Sequence, residues 1–205
     1  GGFFMAYRVL VWGLGAMGSG VARNIVKKEE LRLVGAVEKD PERIGKDLGE
    51  YLGGEKTGRI VYSDIEKAIV ETRPDIVVIA TNSFVEEVLP KIEAAARHHV
   101  DILTIAEEMA CPFVSHPEKS EILENIAWRY GVSILGTGIN PGFVLDLLII
   151  AMTGACLKVD RIEARRINDL SPFGKTVMET QGVGTSPEEF RKGIEKGDIV
   201  GHIGF

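Results

Sequence analysis

A doubly wound parallel α/β fold is predicted for most of this chain, on three observations. Short β-branched runs alternate with segments whose apolar residues recur at helical spacing. The run "DIVVIAT" (Asp75–Thr81) is almost wholly apolar, as a strand covered on both faces must be. A Gly-rich stretch, "RVLVWGLGAMGSG" (Arg8–Gly20), joins the first strand to the first helix. Strands that alternate with helices in this way imply right-handed crossovers and a parallel sheet.

Taken in order, "RVLVW" (Arg8–Trp12) is a buried strand, and Leu14, Met17, Val21 and Ile25 then line one helix face. "LRLVGAVE" (Leu31–Glu38) is the second strand. "RIVYS" (Arg59–Ser63) is the third, with Ser63 and Glu66 forming a capping-box signature for the next helix. After Asp75–Thr81, the span Val85–His99 reads as helix, with Pro90 inside it to kink or split it. "DILTIA" (Asp101–Ala106) is a strand, Ser115 and Glu118 cap a helix running to about Tyr130, and "VSIL" (Val132–Leu135) is a further strand. "GTGINPGF" follows, and a helix covers about Val144–Ala155.

The pattern changes after Lys158. "VDRIEARRI" (Val159–Ile167) alternates apolar and polar residues, as a strand with one wet face does. A Gly- and Ser-rich loop comes next, and Ser186, Pro187 and Glu189 then mark a helix start. One strand and one short helix cannot bury a core of their own. Residues 5–157 therefore read as one domain, and residues 158–205 as the start of a second, α+β domain cut off before completion. "GGFF" ahead of Met5 reads as an expression remnant.

The chain has 205 residues, 45% hydrophobic and 26% charged, which suits a globular protein. Its net charge is −6 with the basic residues dispersed, so a nucleic-acid partner is not expected. The longest apolar stretch, Val144–Leu157, is broken by Asp146 and is too short to cross a bilayer, and no signal segment is visible. Cys111 and Cys156 form no metal or redox motif, and are expected as buried, reduced thiols of a cytoplasmic protein. No metal site is predicted. His98 and His99 fall at a helix end, where the dipole favours them as surface residues.

Gly13, Gly15 and Gly18 form a G-x-G-x-x-G pattern directly after a strand and at the opening of a helix, with Leu14, Ala16 and Met17 between them. This is the fingerprint of a Rossmann domain. Gly13 permits the tight turn, Gly15 lets a pyrophosphate approach the backbone, and Gly18 allows close helix–strand packing. The phosphates then lie on free amides at the helix N-terminus. Glu38 ends the second strand twenty residues after Gly18, where a carboxylate can accept hydrogen bonds from a ribose diol. That favours NAD. Lys39 is either a cation for the 2′-phosphate of NADP or a solvated lysine, so NAD and NADP both stand. Thr81 and Asn82 follow the fourth strand and either contact the coenzyme or, in the case of Asn82 with Ser83, cap a helix.

At the ligand edge after the fifth strand, "TIAEEMACP" (Thr104–Pro112) carries adjacent carboxylates, Glu107 and Glu108. Glu108 stands where sugar oxidoreductases of related architecture carry a lysine. A carboxylate does not replace an ammonium as proton donor without a large pKa shift, but it binds a substrate ammonium well. Both residues are candidates for that role, or are exposed loop acids.

The segments "VWGLGAMG", "GTGINPGFVLDLL" and "GHIGF" together resemble the 2,4-diaminopentanoate dehydrogenase family, whose nucleotide domain is similar to that of dihydrodipicolinate reductase. The resemblance covers essentially the whole chain. It implies an oxidative deamination by hydride transfer to NAD or NADP, a diamino acid substrate, and a longer homodimeric protein. Such chemistry needs a base to take the amine proton before hydride leaves. Glu107, Glu108, Asp146 and Asp169 are candidates to meet the ammonium groups. Arg165 and Arg166 either meet the substrate carboxylate or belong to a solvated strand face. Gly138, Asn140 and Pro141 form either a loop beside the nicotinamide, with Asn140 orienting substrate, or a structural turn. Dihydrodipicolinate reductase itself fits less well, because its paired histidines and lysine loop are missing and "SPFGKTV" (Ser171–Val177) matches that loop only loosely. Other readings are a homoserine- or semialdehyde-type dehydrogenase and a non-catalytic NAD-binding sensor.

Overall fold

The computed structural model describes residues 6–167, 169–170 and 175–199. "GGFF", "GHIGF" and the first half of "SPFGKTV" lie outside the described residues. The chain divides into two compact units, one ending at Gly138 and one beginning at Ile139.

The first unit is built on six parallel strands: β1 (Tyr7–Trp12), β2 (Leu31–Val37), β3 (Val61–Tyr62), β4 (Ile76–Ile79), β5 (Asp101–Thr104) and β6 (Ile134–Gly136). Their order across the sheet is β3-β2-β1-β4-β5-β6. The order reverses between β1 and β4, and this opens a crevice at the carboxyl ends of those two strands. Helices α1 (Ala16–Val26) and α2 (Leu48–Tyr51) serve one face of the sheet, where Val9, Val11, Ala22, Ile25, Leu33 and Leu48 are buried together. Helices α3 (Ile65–Thr72), α4 (Val85–Ala96) and α6 (Pro117–Tyr130) serve the other, where Leu10, Val77, Ile79, Val88, Ile92 and Ile102 are buried. Leu10 points to one layer and its neighbours Val9 and Val11 to the other, so both faces of β1 need apolar residues.

Several boundaries differ from the sequence reading. The cap of α3 is Asp64, whose carboxylate accepts from Lys67 N–H at 2.7 Å, and not Ser63. Ser63 and Asp64 are both favoured N-cap residue types, and the backbone conformation selects Asp64, which has no glutamate three residues on to complete a capping box. Ser115 does not cap α6 either: it ends a short helix α5 (Pro112–Ser115), and its hydroxyl donates to Cys111 O at 3.3 Å. Pro90 sits inside an uninterrupted α4, which ends at Ala96. Cys111 is half-buried and Cys156 exposed, both free, so the expectation of two buried thiols does not hold.

In the second unit the helix expected over 144–155 begins as a π turn (Phe143–Leu147) and continues as α7 (Leu148–Thr153). The strand expected over Val159–Ile167 is not formed, and all nine residues are exposed. Alternation describes a segment that suits a sheet, but among the described residues of this unit no strand exists to pair with it. A helix α8 (Lys175–Thr180) falls where a loop was expected. The last helix α9 (Pro187–Lys196) has the reciprocal capping box, with Ser186 N–H donating to Glu189 Oε2 at 2.8 Å and Gly197 closing it at φ +77°.

Leu10 is fully buried at the centre of the sheet. Leu10→Ala is expected to lower stability by about 2–5 kcal/mol, seen as a lower urea midpoint with an unchanged slope.

Candidate active site

The site is assembled at the crevice between β1 and β4. Gly13 follows β1 with φ +101°, and its N–H donates to Val37 O at 2.8 Å, pinning the turn to the end of β2. A Cβ there would stand 2.7 Å from Ala80 O, so only glycine lets the turn pass β4. A Cβ on Gly18 would stand 1.9 Å from Gly13 O, the close helix–strand packing that the third glycine of the pattern allows.

Gly15 differs from both. A Cβ on it would meet nothing within 4 Å, and it begins the eleven-residue α1 with no side chain capping the helix. Ala16 and Met17 are exposed at that N-terminus. The first-turn amides and the positive end of the helix dipole thus face open space, a ready cradle for a diphosphate.

Glu38 lies just past β2 with its side chain 12% exposed. Its Oε2 accepts from Leu14 N–H at 2.8 Å and its Oε1 from Lys39 N–H at 2.7 Å. Two of about four lone-pair positions are therefore used, and the carboxylate is held rigid with acceptor capacity to spare for a sugar diol. The Leu14 carbonyl is gripped as firmly, accepting from Arg43 Nη1 at 2.7 Å, Ser19 Oγ at 2.9 Å and Tyr51 Oη at 3.2 Å. Arg43 is also paired with Asp40 at 2.9 Å and lies over the Tyr51 ring. These supporting residues were missed in the sequence, where nothing local marks them. The turn, the uncapped helix and Glu38 fit a nicotinamide dinucleotide, NAD or NADP.

Thr81 and Asn82 follow β4, and Lys91 of α4 donates from Nζ to Thr81 Oγ1 at 2.7 Å and to Asn82 Oδ1. Neither Asn82 nor Ser83 caps α4. Its N-cap is Phe84, which offers no side-chain cap, and the Val85 N–H donates to Glu108 Oε2 at 2.8 Å. Lys39 is exposed and forms no ion pair among the described residues.

Glu107 and Glu108 open a 3₁₀ turn (Glu107–Ala110) after β5. Buried Met109 anchors this turn, and its carbonyl lies so close to Gly136 that a Cβ there would come within 1.8 Å. Glu107 is half-buried. Glu108, 16% exposed, also meets His116 Nε2 at 3.2 Å. His116 is a second residue that sequence reasoning missed, because only the fold brings it to Glu108. His98 and His99 stand apart, just ahead of β5, and His99 Nδ1 meets Tyr130 O at 2.7 Å.

Gly138 ends the first unit, just after Thr137 N–H donates to Thr104 O at 2.9 Å. Asn140 and Pro141 open the second unit and are joined by a cis peptide bond. There Asp146 Oδ2 accepts from Gly142 N–H at 2.6 Å, and Arg165 pairs with Glu163. Asp169 and Arg166 are exposed.

Comparison with known proteins agrees with this geometry. Residues 7–105 match the family described as dihydrodipicolinate reductase, N-terminus, and residues 143–205 match the 2,4-diaminopentanoate dehydrogenase C-terminal domain. The chain is 40% identical to 2,4-diaminopentanoate dehydrogenase of Acetoanaerobium sticklandii over 97% of its own length and 56% of that protein. It is 26% identical to an amine dehydrogenase of Streptomyces virginiae over 80% of this chain and 46% of that one. The solved amine dehydrogenase of Mycobacterium smegmatis superposes with a TM-score of 0.74 at 30% identity, over 93% of this chain and 56% of that one. The chain thus spans about half the length of the curated relatives it matches.

Fold and site together define a dinucleotide-binding domain of the dihydrodipicolinate reductase type. The chain is similar in its first part to the dihydrodipicolinate reductase N-terminal domain and in its last part to the 2,4-diaminopentanoate dehydrogenase C-terminal domain.

The three glycines of the turn make separable demands. Gly18→Ala is expected to destabilise the fold by about 1–3 kcal/mol through overpacking. Gly15→Ala is expected to leave the melting temperature within about 2 °C while weakening NADH binding roughly tenfold, since its methyl group faces only the phosphate cradle. Thermal melts and fluorescence titration with NADH check both.

Proposed function

We propose that the protein carrying this chain is an NAD(P)-dependent amine dehydrogenase that converts 2,4-diaminopentanoate and water to 2-amino-4-oxopentanoate and ammonia. The observation that carries this reading is the carboxylate pair Glu107–Glu108. It is presented by a rigid turn at the ligand edge of a nicotinamide domain, where a lysine would instead suit alcohol oxidation. The relatives named above support the substrate class.

Bound coenzyme supplies the hydride acceptor. The chain has to hold the substrate, free its amine of a proton and present the C4–H bond. Glu107 and Glu108 meet the substrate ammonium. His116, hydrogen-bonded to Glu108, extends the proton path from that carboxylate. Loss of hydride from C4 leaves an imine, which water then attacks to release ammonia. In this reading Gly138, Asn140 and Pro141 form the loop beside the nicotinamide, with Asn140 orienting substrate. Residues 5–157 hold coenzyme, and residues from 158 onward belong to a domain for substrate and for homodimer contacts. Among the described residues no helix is long and apolar enough to cross a membrane, and the free thiols are in keeping with a reducing compartment, here proposed as the cytoplasm.

The full-length protein should reduce NAD or NADP with 2,4-diaminopentanoate and not with homoserine or lysine. Absence of reduction with any amine would defeat the proposal. Glu108→Gln should lower turnover on the order of a hundredfold with NADH affinity unchanged, as measured by steady-state kinetics and equilibrium titration.

A further inference from the structure

We propose that a cavity of about 360 Å³ between α1 and α2 is a binding site for a small aliphatic carboxylate, separate from the coenzyme crevice. It lies at the C-terminal end of α1, about 16 Å along that helix from the amides beside Gly15.

Its walls are apolar and already in place. Leu33 of β2 and Leu48 of α2 are buried at its base, and half-buried Leu52 lines it from the end of α2. Val26 of α1 is 58% exposed, so apolar surface is left open there. The loop that closes the cavity is held by Asp47, whose carboxylate accepts from the N–H groups of Gly49 at 2.9 Å, Thr57 at 3.0 Å and Gly58 at 2.7 Å. Gly49 also passes so close to Glu55 O that a Cβ would stand 2.0 Å from it. The cavity is therefore preformed, and its size falls in the range of about 300–1,000 Å³ typical of small-molecule sites.

The charges select the ligand. Three cations line the cavity, Arg23, Lys27 and Arg59, against one acid, Glu55, in a chain whose net charge is −6. Arg23 and Lys27 stand at the end of α1 and offset the negative end of its dipole. Arg23 is partly engaged, donating from Nε to Leu52 O at 3.2 Å. Lys27 and Arg59 form no ion pair among the described residues, and the half-buried guanidinium of Arg59 has no acceptor among them. Burial and the nearby charge of Arg32 push Arg59 below the usual arginine range. Asp47 opposes that shift, but its oxygens are turned to backbone amides. The planar fork of Arg59 is thus free for a carboxylate. Inorganic phosphate would leave the apolar walls unused, and a hydrocarbon would leave Arg59 unpaired. A carboxylate on a short aliphatic chain satisfies both, with its methylenes against Leu33, Leu48, Leu52 and Val26.

Titration of the ¹⁵N-labelled chain with hexanoate, hexylamine and inorganic phosphate, followed by amide NMR shifts, tests this. Hexanoate is expected to shift the Val26, Leu48, Leu52 and Arg59 amides saturably while leaving those of Gly13 and Gly15 unmoved. Hexylamine and phosphate should each bind roughly tenfold more weakly, and Arg59→Gln and Lys27→Met should each weaken hexanoate by about five- to tenfold with NADH affinity unchanged. The same spectra report whether each variant is folded. Equal binding of hexanoate and hexylamine would overturn the proposal and leave a merely apolar surface. Equal binding of hexanoate and phosphate would overturn it in favour of a basic patch. Hexanoate binding that survives both substitutions unchanged, or that shifts none of these four amides, would overturn it as well.

Discussion

The peptide unit of Leu14 is the point on which the site depends. Its N–H is held by Glu38 at the tip of β2, and its C=O by Ser19 of α1, by Arg43 and by Tyr51 at the end of α2. A strand tip, two helices and a loop therefore meet on one residue of the Gly-rich turn. Backbone amides bind a diphosphate well only if they already point the right way, and a turn with several glycines would otherwise lose much entropy on being ordered. The Leu14 contacts supply that order in advance. They also fix Glu38, so the carboxylate proposed to meet the sugar and the amides proposed to meet the phosphates share one scaffold.

The same economy appears on the other side of the crevice. Glu108 takes the first free amide of α4, and its own N–H donates to Ser83 O at 3.1 Å. Lys91, further along α4, holds Thr81 and Asn82. The connection from β4 to α4 is thus tied from the β5 turn and from its own helix. Gly136 and Met109 then press that turn against β6.

What could be read in the sequence was what local pattern controls. Strand–helix alternation gave the sheet, because strands buried on both faces must be apolar whatever their neighbours. Gly13 and Gly18 were legible with their separate steric roles, since each follows from the turn itself. Arg43, Tyr51, Lys91 and His116 were not legible, because their partners lie between eight and thirty-seven residues away and only the folded chain brings them together. Asp64 and Ser63 show a finer limit: adjacent capping residues look alike until the backbone chooses. Val159–Ile167 shows a different one. Its alternation describes a face that a sheet could use, but a strand exists only when another strand supplies its hydrogen bonds.

Two demands meet on Glu108, which takes the first amide of α4 and, in the proposed function, also meets a substrate ammonium. A carboxylate that accepts a backbone N–H at a helix N-terminus is stabilised in its charged form by the dipole there. In the proposed reaction a carboxylate so held is suited to binding a cationic amine. His116 Nε2, 3.2 Å away, complements that anion. In the proposed reaction the two side chains then divide the work: the Glu108 carboxylate holds the substrate ammonium, and the imidazole hydrogen-bonded to it extends the proton path.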